Sequence, residues 1–152
     1  MKCVTKEDFA RFNGILVLAE VRDGALMDCS KELVSEGRRL ADATGCLTGS
    51  VIYALLVGSN VAGLSRTLGG YGADKVFVCE SPLLEKYTTE AYAKVICQVV
   101  EKLMPDTFLV SATTIGRALA GVLNLARRGA LSTVFAGLHH AGTHCRHLRT
   151  VR

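Results

Sequence analysis

The residue types with the clearest chemical potential lie in one short turn. Residues 111–117 read Ser-Ala-Thr-Thr-Ile-Gly-Arg, so Thr113, Thr114 and the Gly116 amide offer hydrogen-bond donors and Arg117 adds a fixed positive charge. The β-branched and apolar run at 107–110 precedes them, and Leu119, Val122, Leu123 and Ala126 follow at helical spacing. The whole stretch therefore reads as a strand, a tight turn and a helix. In an open parallel sheet the groove lies off the carboxyl ends of the strands, where the first amides of each following helix lack intrahelical partners. Those N–H groups and the positive end of the helix dipole together favour an anionic or polar ligand. Glu20 and Gly58, each expected to end a neighbouring strand, would line the same groove. Two plainer roles stand beside this one: small polar residues also cap any strand-to-helix turn, and Glu20 could pair with Arg22 or Arg117.

The elements that must position these residues can be read in order. Residues 14–20 carry an uninterrupted apolar run, Ile-Leu-Val-Leu-Ala, expected of a strand covered on both faces in the middle of a sheet. Asp23-Gly24 is a turn signal. Ser30 is placed to cap a helix running to about Thr44, with Leu33, Val34, Gly37, Leu40 and Ala41 on one stripe. Residues 50–57 form a second strand, Asn60 would cap a helix carrying Leu64 and Leu68, and residues 75–79 form a third strand. Thr88 or Thr89 opens a helix in which Tyr92, Val95, Ile96, Val99, Val100 and Leu103 share one face, and Pro105 stops it. Residues 130–138 and 147–151 read as an edge hairpin. Strands alternating with helices of this length require parallel pairing, which predicts a three-layer α/β sandwich as a single domain over residues 1–152.

Composition sets the outer limits. Hydrophobic residues make up 49% and charged residues 21% of the 152, the balance of a globular domain with a real core. The longest apolar runs fall far short of a bilayer span, and Lys6, Glu7, Asp8 and Arg11 stand where a secretory signal needs an apolar stretch. The expectation is a cytoplasmic protein without a membrane segment. The six cysteines are scattered with no C-x-x-C pair, and Cys79 and Cys97 fall on core faces, so they read as buried free thiols. The net charge of +4 is concentrated toward the C-terminus, where every charged side chain from Arg117 onward is an arginine. Such a tail suits an acidic partner; without aromatic interleaving or a reader motif, nucleic acid is not expected.

No catalytic constellation is visible. There is no Gly-x-Ser-x-Gly and no glycine-rich phosphate loop, and a self-contained enzyme is not expected. All four histidines and Cys145 fall within residues 139–147, enough nitrogen and sulfur ligands for zinc or copper in kind. A single turn rarely aims three ligands inward without a second segment. A solvated turn is therefore the better reading, and no metal is assigned.

Five pieces in register carry a family resemblance: Ile15-Leu-Val-Leu-Ala-Glu-Val-Arg-Asp-Gly24, Gly37-Arg-Arg-Leu-Ala-Asp42, Leu55-Leu-Val-Gly58, Tyr71-Gly-Ala-Asp-Lys-Val76 and Ala112-Thr-Thr-Ile-Gly-Arg117. Together they resemble the N-terminal domain of the electron transfer flavoprotein alpha subunit, in forms most like those of anaerobic bacteria. The pattern departs at Ser111, at Ala118 and across residues 129–135. The resemblance implies a Rossmann-like domain of the adenine nucleotide alpha hydrolase type, paired with a beta subunit and, through that complex, with an acyl-CoA or related dehydrogenase. It implies FAD at the partner interface and not held by this chain alone, since the family carries its own FAD mainly on a separate C-terminal domain beyond the point where residue 152 falls. Thr113, Thr114, Gly116, Arg117, Glu20 and Gly58 would be the cofactor-facing residues, with Arg117 and the turn amides stabilising a partner's anionic flavin or its phosphates. The alternatives are a stand-alone module binding AMP or another nucleotide, and a non-functional truncated remnant.

Overall fold

The computed structural model describes residues 14–44, 51–126, 132–136 and 148–151. Its first strand, β1 (Ile15–Ala19), is buried at every position, as its unbroken apolar run requires. A two-residue hairpin follows, β2 (Val21–Arg22) and β3 (Ala25–Leu26), turning at Asp23 and Gly24 with φ of 51° and 75°. Positive φ at both central residues is what an Asp-Gly hairpin turn supplies. Then come α1 (Asp28–Thr44), β4 (Ile52–Gly58), a 3-10 turn (Ala62–Leu64) running into the short α2 (Ser65–Gly70), and β5 (Lys75–Glu80). After a second 3-10 turn (Pro82–Leu84) the chain forms α3 (Thr89–Leu103), β6 (Thr107–Ser111), α4 (Thr114–Ala126), β7 (Ser132–Ala136) and β8 (Leu148–Val151).

The six-stranded sheet has the order β5-β4-β1-β6-β7-β8. All pairs are parallel except β7 with β8 at the edge. β1 lies inside the sheet, flanked by β4 and β6: the chain winds outward from β1 through β4 to β5, then returns to lay β6 and β7 on the other side of β1. This is where the winding of the sheet reverses.

Alternation along the strands divides the core in two. Ile15, Val17 and Ala19 face Leu33, Val34 and Ala41 of α1, together with Ile52, Leu56, Leu68 and Leu109. Leu16 and Leu18 face the other way, against Ile96 and Val100 of α3 and Leu119 and Leu123 of α4, with Phe108 and Val110 between. Helices cover both faces of the sheet, giving the three-layer Rossmann-like α/β architecture expected from the pattern. Among the described residues no helix is long and apolar enough to cross a membrane.

Three local expectations are corrected. Helix α1 begins at Asp28, so Ser30 lies in its first turn and its hydroxyl serves a distant partner. Asn60 is not a cap: it sits at φ 54°, and the 3-10 turn that follows has Val61 as its capping residue, without a side-chain bond. Val122, which shares the helical spacing of Leu119 and Leu123, does not share their burial and is 39% exposed. Helix α3 matches its predicted face closely, ending in a left-handed Met104 at φ 47° just before Pro105.

Candidate functional site: a crevice at the switch point

At the carboxyl end of β1 the chain leaves the sheet at Glu20, whose peptide group has no strand partner. Ser30 satisfies it from both sides: the Glu20 amide donates to Ser30 Oγ at 2.7 Å, and the Ser30 hydroxyl donates to the Glu20 carbonyl at 3.1 Å. The same carbonyl accepts from the Met27 amide at 3.1 Å. Ser30 is fully buried. This strap fixes the backbone from which the Glu20 side chain projects, and the side chain, 7% exposed, reaches toward the end of β6.

There it meets the turn read from the sequence. Thr113 is the residue before α4; its hydroxyl donates to Glu20 Oε1 at 2.7 Å, with Oε2 at 2.9 Å. Thr113 Oγ1 also accepts from the Gly116 amide at 3.0 Å, the bond expected of a helix N-cap. Gly116 is required by a close approach, because a Cβ there would lie 2.0 Å from the Ser111 carbonyl oxygen and 3.3 Å from Glu20 Oε1. A relay Ser30–Glu20–Thr113–Gly116 thus ties α1, β1 and α4 together across the reversal in strand order.

Of the other residues expected to line the groove, Thr114 is exposed at the start of α4. Arg117 is exposed too, its Nε donating to the Ala112 carbonyl at 3.0 Å, which holds the guanidinium on the rim. Gly58 ends β4; a Cβ on it would come 3.8 Å from the Tyr92 hydroxyl. Among the described residues Glu20 forms no salt bridge with Arg22 or Arg117.

Beside Glu20 lies a crevice of about 40 Å³, walled by Leu18, Val57, Tyr87, Tyr92, Ile115 and Leu119. The two tyrosine rings meet edge to face, with centroids 4.9 Å apart. Burial pushes the Tyr92 hydroxyl's pKa up, with Tyr87 adding to it, and that hydroxyl donates to the Leu84 carbonyl at 3.1 Å.

Burial also raises the Glu20 pKa above the ordinary carboxylate value, partly offset by the Thr113 hydrogen bond, the nearby Ser111 hydroxyl and the charge of Arg22. The Ser111 hydroxyl, buried beside the carboxylate, favours its charged form. A carboxyl group whose folded pKa lies above its unfolded value destabilises the fold when charged, and this cost fades as pH falls toward 4.5. Glu20→Gln is therefore expected to raise the melting temperature near neutral pH, roughly 2–4 °C for each kcal/mol gained. Thermal melts of both proteins at several pH values should show the gap closing on acidification. A gap that is constant or grows at low pH contradicts a charged, buried Glu20.

This donor set does not fit the pyrophosphate of FAD or a nucleotide. The Gly116 amide is taken by Thr113, the Thr113 hydroxyl by Glu20, and a carboxylate stands where the phosphate charge would go. Sequence reasoning placed the turn but missed Ser30's strap, the buried Ser111 hydroxyl beside Glu20 and the tyrosine wall. Tyr92 was visible only as part of a core stripe, and the Ser30 bond spans residues whose proximity no local pattern encodes.

A doubly wound sheet with a crevice at its switch point defines a Rossmann-like domain of the class that meets ligands or partners at the carboxyl ends of its strands. Within that class, residues 15–132 match the electron transfer flavoprotein domain, and the chain belongs to that family. It is 48% identical over 112 residues to the acryloyl-CoA reductase electron transfer subunit beta of Anaerotignum propionicum, covering 74% of this chain and 29% of that protein. It is 46% identical over 112 residues to the electron transfer flavoprotein subunit alpha of Megasphaera elsdenii, covering 74% and 32%. Protein FixB of Rhizobium meliloti is 35% identical over 121 residues, covering 80% and 34%. The resemblance to the alpha subunit is borne out, and the chain spans about a third of the length of these relatives. The metal reading of residues 139–147 lies outside the described residues; among those described, no His, Cys, Asp or Glu group is arranged to hold a metal.

Proposed function

We propose that this domain is an electron transfer flavoprotein alpha-type component that pairs with a beta-type subunit and supports flavin-mediated electron transfer to or from a dehydrogenase. The observation that carries this reading is the family match across 15–132, which takes in every element from β1 to α4. The relatives' names supply the electron-transfer role. The flavin, held at the partner interface, supplies the redox chemistry. The exposed rim residues Thr114 and Arg117 form the face toward the partner, backed by Thr113, Gly116, Glu20 and Gly58, with Arg117 contributing a positive charge whose position is fixed by its bond to Ala112. The relay behind them keeps that face rigid, so docking orders few new groups. We place the protein in the cytoplasm, where reduced thiols such as Cys29, Cys79 and Cys97 persist.

Purified alone, the chain is expected to be colourless at the flavin bands, with a scattering mass near 16.2 kDa. Mixed with a beta-type subunit, it should elute as an equimolar complex. Failure to pair, or stoichiometric FAD on the chain alone, contradicts the proposal. The stand-alone nucleotide module requires copurified AMP or ATP, which the carboxylate in the crevice disfavours.

A further inference from the structure

Helix α4 starts without an acid of its own: its first turn contains no Asp or Glu to balance the positive end of its dipole. Glu20, 93 residues away from Thr113 in the chain and just past the end of β1, supplies one. Its Oε1 and Oε2 lie 2.7 and 2.9 Å from the Thr113 hydroxyl, and the buried Ser111 hydroxyl beside it favours the charged form. Gly116 lets the carboxylate seat against the turn, since a Cβ there would stand 3.3 Å from Oε1. The strap to Ser30 fixes the backbone behind it, and Glu20 is 7% exposed. Hydroxyl donors and a helix N-terminus converging on two anionic oxygens are what a phosphate receives at a strand-to-helix turn. Stability does not explain the carboxylate: burial raises its pKa, so its charge is a cost to the fold near neutral pH.

We propose that Glu20 is the built-in occupant of an anion site, a specificity-determining side chain that keeps phosphate groups out of the switch point by filling their place and repelling their charge. Taking away the methylene and carboxylate beyond its Cβ frees the Ser111 and Thr113 hydroxyls to face the first amides of α4, and joins the vacated space to the adjoining crevice of about 40 Å³. A tetrahedral phosphate is little larger than the group removed. Every part of this arrangement belongs to one chain and does not depend on pairing with a beta-type subunit, so its test uses the chain alone and can fail independently of that pairing.

The probe is inorganic phosphate, titrated at constant ionic strength into the full chain and followed in amide proton–nitrogen NMR spectra. The parent should show no saturable shift at Thr113, Thr114 or Gly116. Glu20→Ala should show saturable shifts at all three, with an affinity roughly tenfold or more above any in the parent, the scale of one charge-assisted hydrogen bond gained. Glu20→Gln lifts the charge but keeps the bulk, and should gain less than Glu20→Ala. Glu32→Gln, which removes the same charge from an exposed position on α1, should bind no better than the parent. The same spectra show whether each variant is folded, and Glu20→Gln decides the matter if Glu20→Ala is not. Phosphate binding by the parent at these amides, none by folded Glu20→Ala (or by Glu20→Gln where the alanine variant is unfolded), or an equal gain in Glu32→Gln overturns the proposal.

Discussion

Gly116→Ala is expected to destabilise the domain by about 3 kcal/mol, the upper part of the range for overpacking a filled site. The added methyl would lie 2.0 Å from the Ser111 carbonyl oxygen and 3.0 Å from its carbonyl carbon. Those atoms belong to the backbone of β6, an interior strand, and cannot rotate aside as a side-chain tip would. Relief requires α4 to withdraw from the strand end, which separates Thr113 from Glu20 and opens the relay. The melting temperature should fall by roughly 6–12 °C on the usual scaling for a domain of this size. Gly121→Ala, in the same helix, supplies the contrast: its Cβ would meet nothing within 4 Å. There the change should stabilise by about 0.5–1 kcal/mol through helix propensity alone. Opposite signs from two glycine-to-alanine changes in one helix would isolate the close approach at the turn. A Gly116→Ala melt within a degree or so of the parent contradicts the packing described here.

Ser30→Ala is expected to cost about 2 kcal/mol, within the penalty for leaving a buried donor unpaired. It removes the acceptor of the Glu20 amide at 2.7 Å and a donor to the Glu20 carbonyl at 3.1 Å, at a fully buried position. The carbonyl retains the Met27 amide; the Glu20 N–H loses its partner. Urea unfolding should show a lower midpoint with an unchanged slope, since the surface exposed on unfolding is the same. Ser65→Ala, which removes an exposed hydroxyl bonded to the Ala62 carbonyl at 2.7 Å, should shift stability by no more than about 0.5 kcal/mol. If the two serine variants unfold alike, the strap does not hold Glu20.

The fold was legible wherever one periodicity ruled a segment. The unbroken run of β1 announced an interior strand, the stripe on α3 announced its buried face, and Asp23-Gly24 announced the hairpin turn. Cap assignments fared less well. Ser30 and Asn60 have the side chains of helix caps, but tertiary demand claimed the first, and a left-handed backbone in front of a 3-10 turn claimed the second. Val122 fits the helical spacing of its neighbours yet is partly exposed, because α4 packs on the sheet through Leu119, Ala120 and Leu123. The candidate site was half readable. The location of the 111–117 turn followed from local pattern, as did Glu20 and Gly58 at the ends of strands. The polarity of the crevice did not, because it depends on Glu20 reaching Thr113 across 93 residues of sequence. A turn that looks built for an anion locally is occupied, in the fold, by the chain's own carboxylate.

The most direct test of the account is hydrogen–deuterium exchange of the chain with and without a beta-type subunit. Slower exchange in the complex is predicted for peptides covering residues 20–26 and 113–119, the carboxyl rim of β1 and β6. Protection confined to the opposite rim, around residues 72–75 and 104–106, or no protection at all, would contradict it.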